Sequence, residues 1–152
     1  QRNQLKKCSQ NLLENMAPKA FGAINPDAFG GFKPKKLNGL PDKLIGQIDD
    51  DQFGELKPKL IGKMDEGLIS ALKPQALAGL TDKQGKKMTQ VTASELDPAQ
   101  ILSIQPEALA AMNAKVIALL EDDLSSSQLN GLELLSDGGV ADPVVLIEPP
   151  TV

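Results

Sequence analysis

Residues 44–83 read LIGQIDDD, QFGELKPK, LIGKMDEG, LISALKPQ and ALAGLTDK when the chain is divided into blocks of eight. In each block the second and fifth residues are apolar, and the seventh is proline or an acidic residue. The same division extends in both directions, so that fifteen consecutive octads fill residues 4–123. A fixed period of this kind is typical of proteins built from short units that stack on one another. The sequence therefore predicts a repeat array in place of an ordinary globular core.

Two positions of the octad, numbered from Gln4, are predicted to form the core. Position 5 is apolar in every octad, and position 2 holds a large apolar residue except at Gly85 and Ala93. All four phenylalanines and all four methionines fall at these two positions. Residues three apart share one face of a helix but lie on opposite faces of a strand. The spacing therefore predicts helices, and an all-α fold.

Positions 6 and 7 are predicted to begin each helix. Proline or an acidic residue stands at position 7 in twelve octads, and both suit the first helical turn. Position 6 often carries a residue that caps helices, as at Ser9, Asn25, Asp49, Asp65, Thr81, Thr89, Asp97 and Asn113. Each octad is therefore expected to form one short helix that ends at position 5. Helices this short need stacking neighbours for stability.

Three features of the sequence bear on how the octads pack against one another. Position 3 is small in ten octads, five of them with glycine, which predicts close approach of a neighbouring backbone. Prolines recur two, three and four octads apart, and we favour three octads per superhelical turn. The octads 84–91 and 92–99 lose their position 2 anchors, which predicts either a hinge or ligand notch or, as we favour, tolerated drift.

The chain divides into four segments. Residues 1–3 precede the array, residues 4–123 form the octapeptide-repeat solenoid, and residues 124–136 are expected to form a capping helix after the break at Ser125. Residues 137–152 are expected to form an extended tail around the strand-like run of Val144, Val145, Leu146 and Ile147. Because the chain opens on Gln1, we expect a processed or excised form, and an extracellular or cell-surface location.

Several functional classes are disfavoured by composition. Histidine is absent, which removes nucleophile pairs with histidine and histidine-ligated metals, so we expect no catalytic, cofactor-binding or metal site. The single cysteine, Cys8, is interpreted as a core residue. The acidic clusters Asp49–Asp51 and Asp122–Asp123 both lack the ligand spacing of a calcium-binding loop. Helix capping is the favoured role of these acids. We expect no nucleic-acid partner, because tryptophan and tyrosine are absent, and no transmembrane segment.

Charge suggests how copies of the chain could meet. Residues 1–43 carry eight basic and three acidic groups, whereas residues 92–152 carry one lysine and ten acids. The first hypothesis is a non-enzymatic structural or scaffold protein that assembles head to tail, or with other protein subunits, into a larger and possibly filamentous structure. Its expected contacts are Lys6, Lys7, Lys33, Lys35, Lys36, Glu121, Asp122, Asp123, Val144, Val145, Leu146 and Ile147.

The alternative hypothesis is an adhesion or interaction module that binds a protein, peptide or glycan on an exposed face. Several lysines share position 8 of the octad, and five of them could line one ridge, namely Lys19, Lys35, Lys43, Lys59 and Lys83. A solvated face without a ligand is the plainer interpretation of these lysines. Charge reversal at the five lysines separates the hypotheses, because it should abolish partner binding and leave self-assembly largely intact.

Overall fold

The computed structural model describes residues 7–136, apart from the side chain of Ser136, and all regular secondary structure in this range is helical. The predicted all-α class is therefore confirmed. The helices lie at Gln10–Glu14, Pro18–Gly22, Pro26–Gly31, Pro34–Asn38, Asp42–Ile45, Asp50–Gly54, Pro58–Ile61, Glu66–Ala71, Pro74–Leu77, Asp82–Gly85, Gln90–Ser94, Pro98–Ser103, Pro106–Ala110, Ala114–Leu120, Glu121–Asp123 and Ser126–Ser136. Pro26–Gly31 and Glu121–Asp123 are 3-10 helices.

The helix starts follow the octad. From Gln10 to Ala114, every helix begins at position 7, eight residues after the previous one. All eight predicted caps are confirmed, because each side chain at position 6 accepts a hydrogen bond from a backbone N–H of its own first turn. Asp49, for example, accepts from the N–H of Gln52 at 2.8 Å. Capping therefore explains the first acid of the Asp49–Asp51 cluster.

The helix ends differ from the prediction. Most helices end at position 2, 3 or 4, so position 5 lies in the link that follows and not in the helix. The turn still closes on position 5, because its N–H donates to the carbonyl of position 2. This bond measures 3.1 Å from Leu56 to Phe53 and 3.2 Å from Leu72 to Ile69. The residue just before the next helix is extended, as at Asp49 and Asp65, and this conformation stops a longer helix from forming.

Most of the main packing contacts join a helix to the helix three places further along the chain. One stack contains Pro26–Gly31, Asp50–Gly54, Pro74–Leu77, Pro98–Ser103 and Glu121–Asp123. The second contains Pro58–Ile61, Asp82–Gly85, Pro106–Ala110 and Ser126–Ser136. Pro34–Asn38 precedes this stack, with Asn38 Nδ2 donating to the Lys63 carbonyl at 2.9 Å, but its main helix contact is with Glu66–Ala71 of the third stack. The third contains Pro18–Gly22, Asp42–Ile45 and Glu66–Ala71, followed by the contacting pair Gln90–Ser94 and Ala114–Leu120. Most contacting helices are therefore three places apart in the chain, and the exceptions among the main contacts are Pro34–Asn38 with Glu66–Ala71 and the consecutive helices Ala114–Leu120 and Glu121–Asp123.

Three octad positions form the core, one more than the sequence analysis identified. Position 2 is buried in all described octads except the last, where Ile117 is partly buried. Position 5 is less uniform, since Cys8, Met16, Ile24, Met64 and Leu96 are only partly buried. The unpredicted third position is position 1, which is buried at Ala28, Leu44, Gln52, Leu60, Leu68, Ala76, Gln84, Thr92, Gln100, Ala108 and Val116.

Buried glutamines join several helices to an earlier segment of the chain. Gln52, Gln84 and Gln100 close capping boxes with Asp49, Thr81 and Asp97. Each Nε2 atom also donates to one carbonyl near the end of an earlier helix and to one in the link that follows that helix. The Nε2 of Gln84 donates to Phe53 and Leu56 at 2.8 Å each, and that of Gln100 donates to Ile69 and Leu72 at 2.7 and 2.9 Å. The links in question lead into the helices on which Asp82–Gly85 and Pro98–Ser103 stack.

Close backbone approach explains some glycines. A Cβ at Gly54 would lie 3.0 Å from the Gly79 carbonyl, and one at Gly62 would lie 3.1 Å from that of Lys87. The prediction for position 3 holds at these two glycines but not at Gly22 or Gly46, where a Cβ would make ordinary contacts. The tightest approach lies outside position 3, because a Cβ at Gly79 would lie 1.9 Å from the Asp50 carbonyl.

The irregular octads 84–91 and 92–99 leave no gap at the positions that lack a large side chain. A Cβ at Gly85 would lie 2.3 Å from the Ala108 carbonyl, so the neighbouring helix occupies the space of the missing side chain. Ala93 is also buried. After Asp123, the helix Ser126–Ser136 begins at the predicted break and packs on Pro106–Ala110. The predicted tail, residues 137–152, lies outside the described residues.

Candidate interaction surfaces

The second stack carries most of the lysines. Its segments 33–40, 57–64 and 81–88 contain nine lysines and a single acid, Asp82. Eight of these lysines are exposed, and the ninth, Lys36, is half-buried. We refer to segments 33–40, 57–64 and 81–88 as the lysine stack. The lysine-rich segments are separated along the chain by two octads that are not lysine-rich. They lie near one another only because contacting helices are mostly three places apart.

The first stack carries more acids than either other stack. Segments 25–32, 49–56, 73–80, 97–104 and 121–123 contain nine acidic residues and one lysine, Lys73. Seven of the acids are exposed, whereas Asp49 and Glu55 are half-buried. We refer to these segments as the acid stack. The remaining stack is mixed, with Lys19, Lys43 and Lys115 among its charged residues.

The five lysines predicted to share one ridge do not form it. Lys19 and Lys43 belong to contacting helices of the mixed stack, and Lys59 and Lys83 belong to contacting helices of the lysine stack. Lys35 lies on Pro34–Asn38, which is bonded to the residue Lys63 at the end of the Lys59 segment. The ridge predicted from the octad is therefore divided between two stacks.

The predicted assembly contacts fall at the two ends of the described chain. Lys33, Lys35 and Lys36 lie near its beginning, on the lysine stack, while Glu121–Asp123 form an exposed 3-10 helix near its end. Lys7 is described and exposed. Lys6 and the tail residues Val144, Val145, Leu146 and Ile147 lie outside the described residues.

A groove of about 630 Å³ lies beside the first lysines. Gln10, Glu14, Lys33, Lys35, Lys36, Asn38 and Gly39 line it. The Nε2 atom of Gln10 is buried without a hydrogen-bond partner, and a Cβ at Gly39 would lie 2.6 Å from it. Lys36 Nζ donates to the Cys8 carbonyl, which joins the helix Pro34–Asn38 to the segment before Gln10. The glycine therefore makes room for the Gln10 amide.

Chemistry-bearing clusters are absent from the part of the chain that the structure describes. No group of three or more cysteine, aspartate or glutamate residues there could hold a metal ion, and no described helix is long and apolar enough to cross a membrane. Cys8 is half-buried with a free thiol. The exposed charges of the stacks, together with exposed apolar side chains such as Leu12 and Val91, are the candidate contact residues.

Comparison with protein families, with curated proteins and with solved structures finds no match. Sequence reasoning missed the sorting of charge between stacks, although the necessary signal was present. The lysine-rich segments recur every third octad, at residues 33–40, 57–64 and 81–88. An alignment of single octads does not reveal this period of 24 residues.

Proposed function

We propose that this protein is a non-enzymatic structural or scaffold protein. Its short helices would form a superhelical solenoid with three octads per turn, and copies would associate end to end into a larger assembly. The contacts between helices three places apart support the superhelix. An isolated helix of four to six residues is unstable in water, so each turn depends on the turns above and below.

One observation carries the proposal of self-association. The early lysines Lys33, Lys35 and Lys36 and the late acids of Glu121–Asp123 are opposite in charge, and all except the half-buried Lys36 are exposed. Contact between them joins two different surfaces, so each copy keeps one free end, and assembly continues unless the geometry closes into a ring. A secreted or cell-surface location, where such assemblies give mechanical support, remains part of the same proposal.

Sedimentation velocity across salt concentrations tests end-to-end association. We expect the native chain to form larger species at low salt than at high salt, because salt screens contacts between exposed charges. The triple variant Lys33→Glu, Lys35→Glu and Lys36→Glu should remain smaller at low salt. Its matched control, Lys19→Glu, Lys43→Glu and Lys115→Glu, makes the same charge change on the mixed stack and should still associate.

The tail and the native chain complete the test. Deleting residues 140–152 should weaken association if the apolar run Val144–Ile147 docks on a neighbour. A native chain that stays monomeric at high concentration and low salt would contradict the proposal, whatever the variants do.

A binding module for an anionic protein, peptide or glycan is the second candidate. The concentration of exposed lysines on one stack favours it, since such a surface attracts anionic partners. A sulfated-glycan column is a direct probe. Reversing Lys35, Lys59 and Lys83 to glutamate should lower the salt needed for elution far more than the mixed-stack control does. Equal elution of both variants would remove this candidate.

A further inference from the structure

The lysine stack and the acid stack together form a surface pair that end-to-end assembly does not require. We propose that copies of this chain also lie side by side, with the lysine stack of one copy against the acid stack of the next. This inference rests on the proposed self-association and adds a lateral contact through the middle segments of the two stacks, which lie between the residues proposed for end-to-end contact.

Charge sorting in the middle of the chain is the first argument. Residues 44–91 carry seven lysines and seven acids, so this region has no net charge and contributes nothing to a difference between the two ends. Six of its lysines nevertheless lie on the lysine stack, and four of its acids lie on the acid stack. The exceptions are Lys73, Asp65, Glu66 and Asp82. The sorting is therefore lateral, across the molecule, and not along it.

Exposure is the second argument. Lys57, Lys59 and Lys63 are exposed on one stack, and Asp50 and Asp51 are exposed on the other. Asp49 is occupied as the cap of its own helix, but Asp50 and Asp51 stand in the first turn of that helix without a capping bond to make. The carboxylates are thus available for an external partner.

Matched spacing is the third argument. Helices within a stack are expected to repeat at ~8–10 Å, the usual distance between packed helices. Both stacks belong to one array, so they share this repeat, and parallel copies can align successive levels without distortion. Segment 49–56 lies immediately before segment 57–64 along the chain. Copies placed side by side without axial shift therefore bring the acid-richest segment level with a segment of three lysines.

A second copy accounts for both stacks, which an anionic polymer does not. A polymer would engage the lysine stack and leave the acid stack without a role. A copy of the chain uses both, and its own lysine stack stays free for a third copy, so that rods extend into ribbons or close into bundles. Many weak, exposed charge pairs should make this contact sensitive to salt.

A charge-swap experiment tests the contact. The lysine-inverted variant carries Lys59→Glu, Lys83→Glu and Lys87→Glu, and the acid-inverted variant carries Asp27→Lys, Asp51→Lys and Glu55→Lys. These positions leave Lys33, Lys35, Lys36 and Glu121–Asp123 unchanged for end-to-end contact. The triple reversal of Lys19, Lys43 and Lys115 is the matched control, and circular dichroism establishes that each variant retains its helices.

We expect each inverted variant alone to form narrower assemblies of unchanged length in electron micrographs, with an apparent dissociation constant for lateral contact raised at least ~tenfold. An equal mixture of the two should restore the native width, because one variant then presents acids and the other presents lysines. The control should match the native chain.

Each contrary result identifies what has failed. Native width in the lysine-inverted variant alone would overturn the lateral contact and leave end-to-end assembly standing. Loss of width that mixing does not restore would overturn the acid stack as the surface that the lysines contact. A native chain that is monomeric at low salt would overturn both the lateral contact and the proposed function.

Discussion

The early and late parts of the molecule bury different kinds of side chain between contacting helices. In the early part, the rings of Phe21, Phe29 and Phe32 pack against one another with centroids 5.4 to 6.5 Å apart. No aromatic residue follows Phe53, and the late part instead buries Gln84, Gln100 and Gln128, each bonded to carbonyls of an earlier link. One region is held by nonpolar area, and the other gains directional hydrogen bonds.

The difference shows that two properties have separate origins: the strength of packing between helices and the fixing of their relative position. Ring packing is strong but tolerates sliding, because burial of nonpolar area has no preferred partner atom. A buried amide must meet particular carbonyls, since an unpaired buried polar group is costly. The two solutions meet at Gln52, whose Nε2 bonds the carbonyls of Gly22 and Ile24 at 3.1 and 2.9 Å, next to Phe21.

The largest effect should come from breaking the octad phase. Deleting the four residues 76–79 moves every later core position out of alignment and should remove most of the unfolding free energy, on the order of 5–15 kcal/mol for a domain. Deleting residues 76–83 keeps the helical phase but moves later helices to another stack. Deleting residues 68–91 keeps both. Thermal unfolding followed by circular dichroism should rank the three deletions in this order, and equal damage from all three would contradict the three-octad spacing.

The aromatic region is tested by Phe29→Ala. This ring is fully buried, contacts both other rings, and should leave a cavity whose cost is about 3–5 kcal/mol. Urea unfolding measures the loss. The control is Leu12→Ala, since Leu12 is 56% exposed and its truncation should change the free energy of unfolding far less. Equal losses from the two substitutions would show that the aromatic cluster does not stabilise this region.

The polar region is tested by Gln100→Leu. Leucine occupies the same buried octad position at Leu60 and Leu68, so it fits by size, but it leaves the carbonyls of Ile69 and Leu72 without the amide. The Leu72 carbonyl would then have no partner, whereas the Ile69 carbonyl keeps its bond from the Leu72 N–H, so the loss should be about 1–3 kcal/mol. The exposed Gln75→Leu is the matched control. Hydrogen exchange in Pro98–Ser103 should accelerate in the first variant and not in the second.

The smallest expected effect comes from a substitution in the helix Glu66–Ala71, which lies between the aromatic and the polar region. A Cβ at Gly67, within Glu66–Ala71, would meet only Asp65 Oδ1, at 3.7 Å, so Gly67→Ala should stabilise the protein by about 0.5–1 kcal/mol. Gly79→Ala is the contrasting substitution, because its Cβ would collide with the Asp50 carbonyl. Urea unfolding should give opposite signs, and stabilisation by both would contradict the close contact at Gly79.

Much of the fold could be predicted from the sequence because local chemistry repeats it. Proline and acidic residues at position 7 mark the helix starts, and residues such as Asp65 and Thr89 at position 6 mark the caps. Position 1 escaped prediction because it mixes Leu, Ala, Thr and Gln, so hydrophobicity alone does not mark it as core. The capping-box spacing from Asp49 to Gln52, repeated from Asp97 to Gln100, was the readable sign that these glutamines face inward.

The candidate surfaces were harder to predict because they depend on which octads become neighbours. Proline spacing left two, three or four octads per turn open, and each choice groups the lysines differently. Under the observed contacts, Lys59 and Lys83 fall together while Lys43 falls elsewhere. Charge grouped by every third octad would have favoured the observed spacing in advance.

The reach of the glutamine amides has a consequence for how the chain acquires its structure. The longest of these bonds spans 31 residues, from Gln84 to Phe53, and the others described are no longer. A newly made chain therefore needs only a short stretch of its own preceding residues to complete each turn, and no late segment has to search for a distant partner. We expect consolidation to proceed in the direction of synthesis, with each finished turn serving as the template for the next.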